Sequence, residues 1–302
     1  MKAVVLHEYG GPANLKYEDA ADPVAAPGEV LVRLAATSVN PVDYKLRSGN
    51  YKKFMQLTFP AILGHDISGL VREVGPGVTG FEPGDKVMAL GSNAYAELAV
   101  VKASELAHVP DGLDLVEAAA LPLVTLTGAQ LITRGTAIKA GQTVLVAGAL
   151  GGVGRTAVFT ATQAGATVIA GVRKKQLKEA KILGADQTVA LDDTAAMEKL
   201  GFLDAVADTV GGQTAEALLS KVKQGGVFAT VLGPPANAKQ NPAVRVVPVQ
   251  VAGDAAMLRS LAEDVAAKRL TIPIDRMIPL EDAGEGQAAA EKGGIGKVLL
   301  LA

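Results

Sequence analysis

Apolar and polar positions alternate along this chain with two different rhythms. Up to about Leu121 the apolar stretches are short and β-like, as at residues 29–35, 67–74 and 94–101. Turn signals close them: Pro27-Gly28, Pro76-Gly77, Pro83-Gly84 and Pro110-Asp111-Gly112. Residues that fix or free φ end strands, so this spacing predicts a small barrel or sandwich. From about Pro122 the apolar runs 143–147, 167–172, 187–191, 204–207, 227–232 and 246–251 alternate with helical stretches such as 155–164 and 174–183. Strand cores that are apolar on both faces belong to a parallel sheet covered by helices. The alternation predicts a doubly wound α/β fold.

After a helix at about 255–268, the tail 272–302 reads as short strands again. A chain of 302 residues is long for one core. The expected architecture is therefore a doubly wound parallel sheet, residues 122–268, inserted in a β-barrel-type domain made of 1–121 and completed by 269–302.

Composition removes several classes of function. A net charge of −2 gives no reason to expect nucleic acid or an anionic membrane surface as partner. No apolar run approaches the ~18 residues that span a bilayer, and the N-terminus lacks a signal-peptide pattern. The expected location is cytoplasmic. The chain has no cysteine, which removes disulfides and thiolate metal sites together.

The chemical signal is the stretch from Thr143 to Gly154, where a buried strand runs into Gly148, Gly151, Gly152, Val153 and Gly154 and a helix follows. Such a turn lets backbone approach a pyrophosphate, and the helix N-terminus supplies free N–H groups and partial positive charge. The spacing is Gly-x-x-Gly-x-x-Gly, not the commoner Gly-x-Gly-x-x-Gly, but the strand before, the helix after and the next strand all agree with dinucleotide binding. NAD sites usually place an acid about 20 residues on, at the end of the second strand. Here that strand end reads Val172-Arg173-Lys174-Lys175. Cations opening a helix oppose its macrodipole, so Arg173 and Lys174 are assigned to a 2′-phosphate, and the cofactor to NADP(H).

Six motifs then occur in order: Ser38-Val39-Asn40-Pro41-Val42-Asp43, Gly64-His65-Asp66-Ile67-Ser68-Gly69, Gly84-Asp85-Lys86-Val87, the glycine turn, Asp208-Thr209-Val210-Gly211-Gly212 and Gly296-Lys297-Val298. Together they resemble the zinc-independent quinone oxidoreductases and enone reductases of the medium-chain dehydrogenase/reductase superfamily. The resemblance implies a GroES-like substrate domain beside a Rossmann domain. It places Asn40 where zinc-dependent relatives carry a metal cysteine, and aligns His65 with their zinc-binding histidine. A single histidine does not make a catalytic zinc site, which takes three protein ligands, so no metal is expected and His65 is read as structural. Asn40 is expected to donate from its amide to the substrate oxygen, although Asn before Pro41 also suits a turn. Tyr51 matches a substrate-pocket tyrosine able to deliver a proton. Thr127 and the backbone of Leu232 and Gly233 match positions flanking the nicotinamide. Ile295 departs from an arginine that many relatives have near the cofactor.

The function expected from these residues is NADPH-dependent hydride transfer to a small quinone or α,β-unsaturated carbonyl compound. Reduction of simple ketones or aldehydes, or a nucleotide-binding regulatory protein without chemistry, are the alternatives. A homodimer is expected along the last strand of the dinucleotide sheet, where Pro248 suits an edge and the resemblance points the same way.

Overall fold

The structure is a computed structural model that describes residues 1–293 and 296–302. The chain forms two compact units, Val124–Val251 and Met1–Leu123 with Ala252–Ala302.

The first of these units is a six-stranded sheet. Its strands are β1 (Thr143–Ala147), β2 (Thr167–Val172), β3 (Gln187–Ala190), β4 (Leu203–Asp208), β5 (Val222–Thr230) and β6 (Arg245–Pro248). All neighbours are parallel and the order is β3-β2-β1-β4-β5-β6. This is the Rossmann arrangement, whose strand order reverses between β1 and β4. Val144, Val146, Val168 and Ala170 are buried toward one side of the sheet. Leu145, Ala147, Ile169, Val206 and Phe228 are buried toward the other. Burying each large apolar side chain contributes ~1.5–3 kcal/mol, which explains why these strands carry no polar face. Helix α1 (Gly152–Gln163) turns Gly154, Ala157, Val158 and Ala161 inward, positions spaced three and four apart as one helix face requires. The helix expected at 174–183 is broken into a 3-10 turn Lys174–Gln176, a helical turn Leu177–Ala180 and another 3-10 turn Lys181–Leu183. Cations in its first turn oppose the macrodipole, and Gly184 at φ +71° ends it.

The other unit is built on the long strand Glu29–Ser38, which pairs antiparallel with Asp66–Val74, with Leu98–Lys102 and with the terminal strand Lys297–Leu301. One strand serves three neighbours because residues 29–33 pair with Leu98–Lys102 and residues 36–38 with the terminal strand. Two findings differ from the sequence reading. The tail holds a helix, Ala283–Lys292, between its two strands; its Ala, Glu and Gln residues are good helix formers. Helix Ala255–Ala266, expected inside 122–268, packs on Leu106–His108 and belongs with this second unit. Its buried Leu258, Leu261 and Ala262 supply the apolar face that decides the matter. No helix among the described residues is long and apolar enough to cross a membrane.

Candidate functional site

The glycine turn lies at the carboxyl end of β1, beside the start of the loop after β4. Gly148 takes φ +76°, and a Cβ there would sit 2.4 Å from the Thr209 hydroxyl oxygen. That hydroxyl donates to the Ala147 carbonyl at 2.7 Å, tying the two strand ends together across the point where strand order reverses. A Cβ on Gly154 would lie 2.2 Å from the Gly148 carbonyl oxygen, so glycine is needed for the helix to start so close to the turn. Gly151 differs. Its φ is −72° and its Cβ would meet only the Gly148 carbonyl oxygen, at 3.4 Å. The surrounding protein therefore leaves room for a side chain at 151. Gly152 faces the Val124 side chain, Val153 is half-buried, and no side chain caps the first turn of α1.

At the end of β2, Arg173 is exposed and makes no ion pair among the described residues. Lys174 is engaged: its ammonium meets Asp193 at 2.8 Å, and its backbone N–H donates to Asp192 at 2.6 Å. The hydrogen bond and charge of Asp193 raise the Lys174 pKa. Asp192 and Asp193 follow β3, the strand beside β2, so no acid at the end of β2 itself announces them in the sequence. Thr127 is buried, and its hydroxyl has no hydrogen-bond partner. Leu232 is exposed, its N–H held by the Thr230 hydroxyl at 3.1 Å, and Gly233 follows at φ +94°. The open face of Gly151, the orphan hydroxyl of Thr127 and the unpaired Arg173 fit a dinucleotide.

In the other unit Asn40 belongs to a buried polar cluster. The residue is fully buried. Its amide nitrogen donates to Asp66 Oδ2 at 2.7 Å and approaches the Ser38 carbonyl at 3.4 Å, while its oxygen accepts from Lys297 Nζ at 2.7 Å. One amide hydrogen thus serves Asp66 and the other points toward Ser38 at longer range. Asp66 is the hub: it accepts from the Ser38 hydroxyl, Asn40 and Lys297, and from the Leu123 backbone N–H at 2.7 Å. Buried charges demand such pairing.

A second buried carboxylate adjoins this one. Asp43 caps helix Pro41–Arg47 by accepting the Asn40 N–H at 2.8 Å, and also accepts the Tyr95 hydroxyl at 3.1 Å. Its other oxygen meets His65 Nδ1 at 2.8 Å. Tyr95 is wholly buried, which with the charge of Asp43 pushes its hydroxyl well above the usual tyrosine pKa. Tyr51 is half-buried, with Lys45 Nζ 3.4 Å from its hydroxyl and 5.0 Å from its ring centre. No hydrogen bond joins Tyr51 to Asn40 among the described residues. Ile295 lies outside the described residues.

The alcohol dehydrogenase GroES-like domain profile matches residues 26–111, and a zinc-binding dehydrogenase profile matches 183–300. The structure of the quinone oxidoreductase from Coxiella burnetii is 30% identical, with a TM-score of 0.89 over 100% of this chain and 99% of that one. The chain belongs to the medium-chain dehydrogenase/reductase superfamily. A mycobacterial member solved in complex with NADPH is 29% identical, with a TM-score of 0.86 over the full length of both chains. The chloroplast envelope quinone oxidoreductase homolog of Arabidopsis thaliana is 38% identical over 199 residues, 63% of this chain and 60% of that protein. This superfamily member thus spans about 60% of the length of the curated relatives it matches first.

The zinc of the second profile's name has a testable donor requirement. This chain has no cysteine. Of the candidate ligands, His65 offers only Nε2, since Nδ1 is bound to Asp43, and both oxygens of Asp66 and of Asp43 already accept protein donors. These residues do not fit a catalytic zinc, which takes three free protein ligands.

Proposed function

We propose that this protein is an NADPH-dependent reductase that delivers a hydride to a small quinone or α,β-unsaturated carbonyl compound without zinc. The observation that carries the proposal is Gly151: a glycine without backbone need for it, at the switch point of a Rossmann sheet, beside an uncapped helix N-terminus. The unpaired Arg173 supports NADPH over NADH, because an exposed guanidinium suits a 2′-phosphate and repels nothing on the cofactor. The relatives named quinone oxidoreductase support the acceptor class.

When bound, the nicotinamide supplies the hydride. Gly148 to Gly154 would hold its pyrophosphate, Arg173 its 2′-phosphate, and Thr127, Leu232 and Gly233 would flank the nicotinamide end. Lys174, already paired with Asp193, is a weaker participant. Asn40 enters as a positioning residue: with Lys297 and Asp66 it fixes the segment from Ser38 to Asp43. Tyr51 shapes the substrate side. The same proposal takes the protein to be a cytoplasmic homodimer that buries the β6 edge.

The test is NADPH oxidation, followed spectrophotometrically, with a panel of quinones, enones and simple ketones. Turnover with the first two classes is expected. Turnover with simple ketones alone would replace the reading, and binding without turnover would make the protein a nucleotide-binding one.

A further inference from the structure

Arg155 stands in the first turn of α1, where a cation opposes the helix macrodipole. Its side chain is only 8% exposed, and burial lowers its pKa although the charge of Glu179 works the other way. A charge kept in two unfavourable settings at once calls for a local reason. The geometry supplies one. Arg155 Nε donates to the Leu150 carbonyl at 2.9 Å, and a terminal nitrogen of the guanidinium lies 3.6 Å from a Glu179 carboxylate oxygen. Leu150 belongs to the glycine turn, and Glu179 to the helical turn Leu177–Ala180 that follows Arg173. One side chain thus joins the turn after β1 to the segment after β2, both within the same compact unit.

The Leu150 carbonyl is the acceptor that the Gly154 N–H, four residues on, would use if α1 began earlier. That oxygen is directed at Arg155 instead. The N–H groups of Gly152, Val153 and Gly154 then meet no acceptor among the described residues, and the first helical bond runs from the Arg155 N–H to the Gly151 carbonyl at 2.8 Å. Earlier N–H groups are engaged: Gly148 and Ala149 both donate to the Gly171 carbonyl, at 2.9 and 3.1 Å, and Gly151 donates to Gly148 at 3.0 Å. Three consecutive amides therefore stay open at the start of α1, with a guanidinium buried in the same turn of helix.

We propose that Arg155 is a positioning residue for the cofactor: it holds the Leu150 carbonyl away from α1, keeps the amides of Gly152 to Gly154 open to the pyrophosphate, and adds its charge to the field that this anion meets. This rests on the dinucleotide reading above. An anion at the helix N-terminus reverses the sign of the arginine's setting, because an opposite charge nearby counts for more where water is scarce. In the free protein the arginine contributes little, since a buried ion pair replaced by an apolar group of like volume often leaves a protein equally stable or more so. The pyrophosphate is common to both nicotinamide cofactors. Arg155 therefore acts on NADPH and NADH alike, whereas Arg173 acts on the 2′-phosphate alone.

The experiment titrates NADPH and NADH, at low and at high salt, into wild type, Arg155→Met and Arg155→Lys, and records the melting of each protein without cofactor. Arg155→Met is expected to weaken both cofactors by similar factors, roughly tenfold or more, as loss of a charge and of a charge-assisted donor implies. Its binding should depend less on salt, and without cofactor it should melt at or above the wild-type temperature. Arg155→Lys keeps the charge without the Nε geometry, so it should retain the salt dependence and recover only part of the affinity. Should Arg155→Met not fold, Arg155→Lys carries the test, and wild-type affinity in that variant would overturn the proposal. Unchanged affinities in Arg155→Met, a loss confined to NADPH, or a loss that accompanies a clearly lower melting temperature would overturn it as well. A wild-type protein that binds neither cofactor would overturn the dinucleotide reading itself.

Discussion

Lys297 and Asn40, 257 positions apart in the chain, meet at 2.7 Å between the lysine ammonium and the asparagine oxygen. The contact is buried and shared with Asp66, so each of the three depends on the others for the partners that keep a charged or polar group tolerable away from water. It makes the Ser38–Asp43 segment a braced element.

Asn40→Ala is accordingly a stability variant first. It leaves Lys297 and Asp66 each short of one partner, at a cost of ~1–3 kcal/mol. Lys297→Met removes a partner of a buried carboxylate and costs more, about 3–5 kcal/mol. Urea unfolding measures both. An Asn40→Ala protein of wild-type stability with selectively impaired turnover would return the asparagine to the role of substrate donor.

Cofactor choice is read by titration. Arg173→Ala is expected to weaken NADPH by one to two orders of magnitude, since a charge-assisted bond contributes ~1.5–3 kcal/mol, while NADH affinity stays within a factor of two. Lys174→Ala should do less, because its ammonium already serves Asp193. Equal wild-type affinities for the two cofactors would refute the assignment.

The glycines of the turn divide into two kinds. Gly154→Ala forces a Cβ to within 2.2 Å of the Gly148 carbonyl and should lower the melting temperature sharply or prevent folding. Gly151→Ala meets nothing closer than 3.4 Å, so the apo protein should melt as wild type does while cofactor binding weakens at least tenfold. Unchanged cofactor affinity in Gly151→Ala would remove the main support for the site.

Metal analysis of the purified protein is expected to return less than one-tenth of a zinc per chain, and prolonged chelation to leave turnover unchanged. The reason is the donor set, in which both carboxylates are already bound by protein groups and the histidine alone keeps one nitrogen free. Stoichiometric zinc, lost together with activity, would count against this.

The sheet ends on β6, paired on one side only among the described strands, with Val246 and Val247 half-buried. Such an edge invites a second copy. Sedimentation at micromolar concentration is expected to show a dimer, and a monomer would refute it.

The Rossmann sheet was legible because its evidence is local. A strand buried on both faces must be apolar at successive positions, and a strand–glycine–helix turn writes its steric demands into adjacent residues. β1 and β2 accordingly have the limits read from the apolar runs. The helix Ala283–Lys292 and the attachment of Ala255–Ala266 were less legible, since a short helix pattern does not say which surface it will cover. The residues of the polar cluster were all visible as motif members: Asn40, Asp43, His65, Asp66 and Lys297. Their partners were not. Which donor a buried carboxylate finds depends on the pairing of Leu299 with Ser38 across the closing strand, which brings Lys297 to Asn40. Hydrogen bonds are short-ranged and directional, so residue types announced that polar chemistry was present, and only the long-range register decided that Asn40 would be held fast and that His65 would keep one nitrogen free.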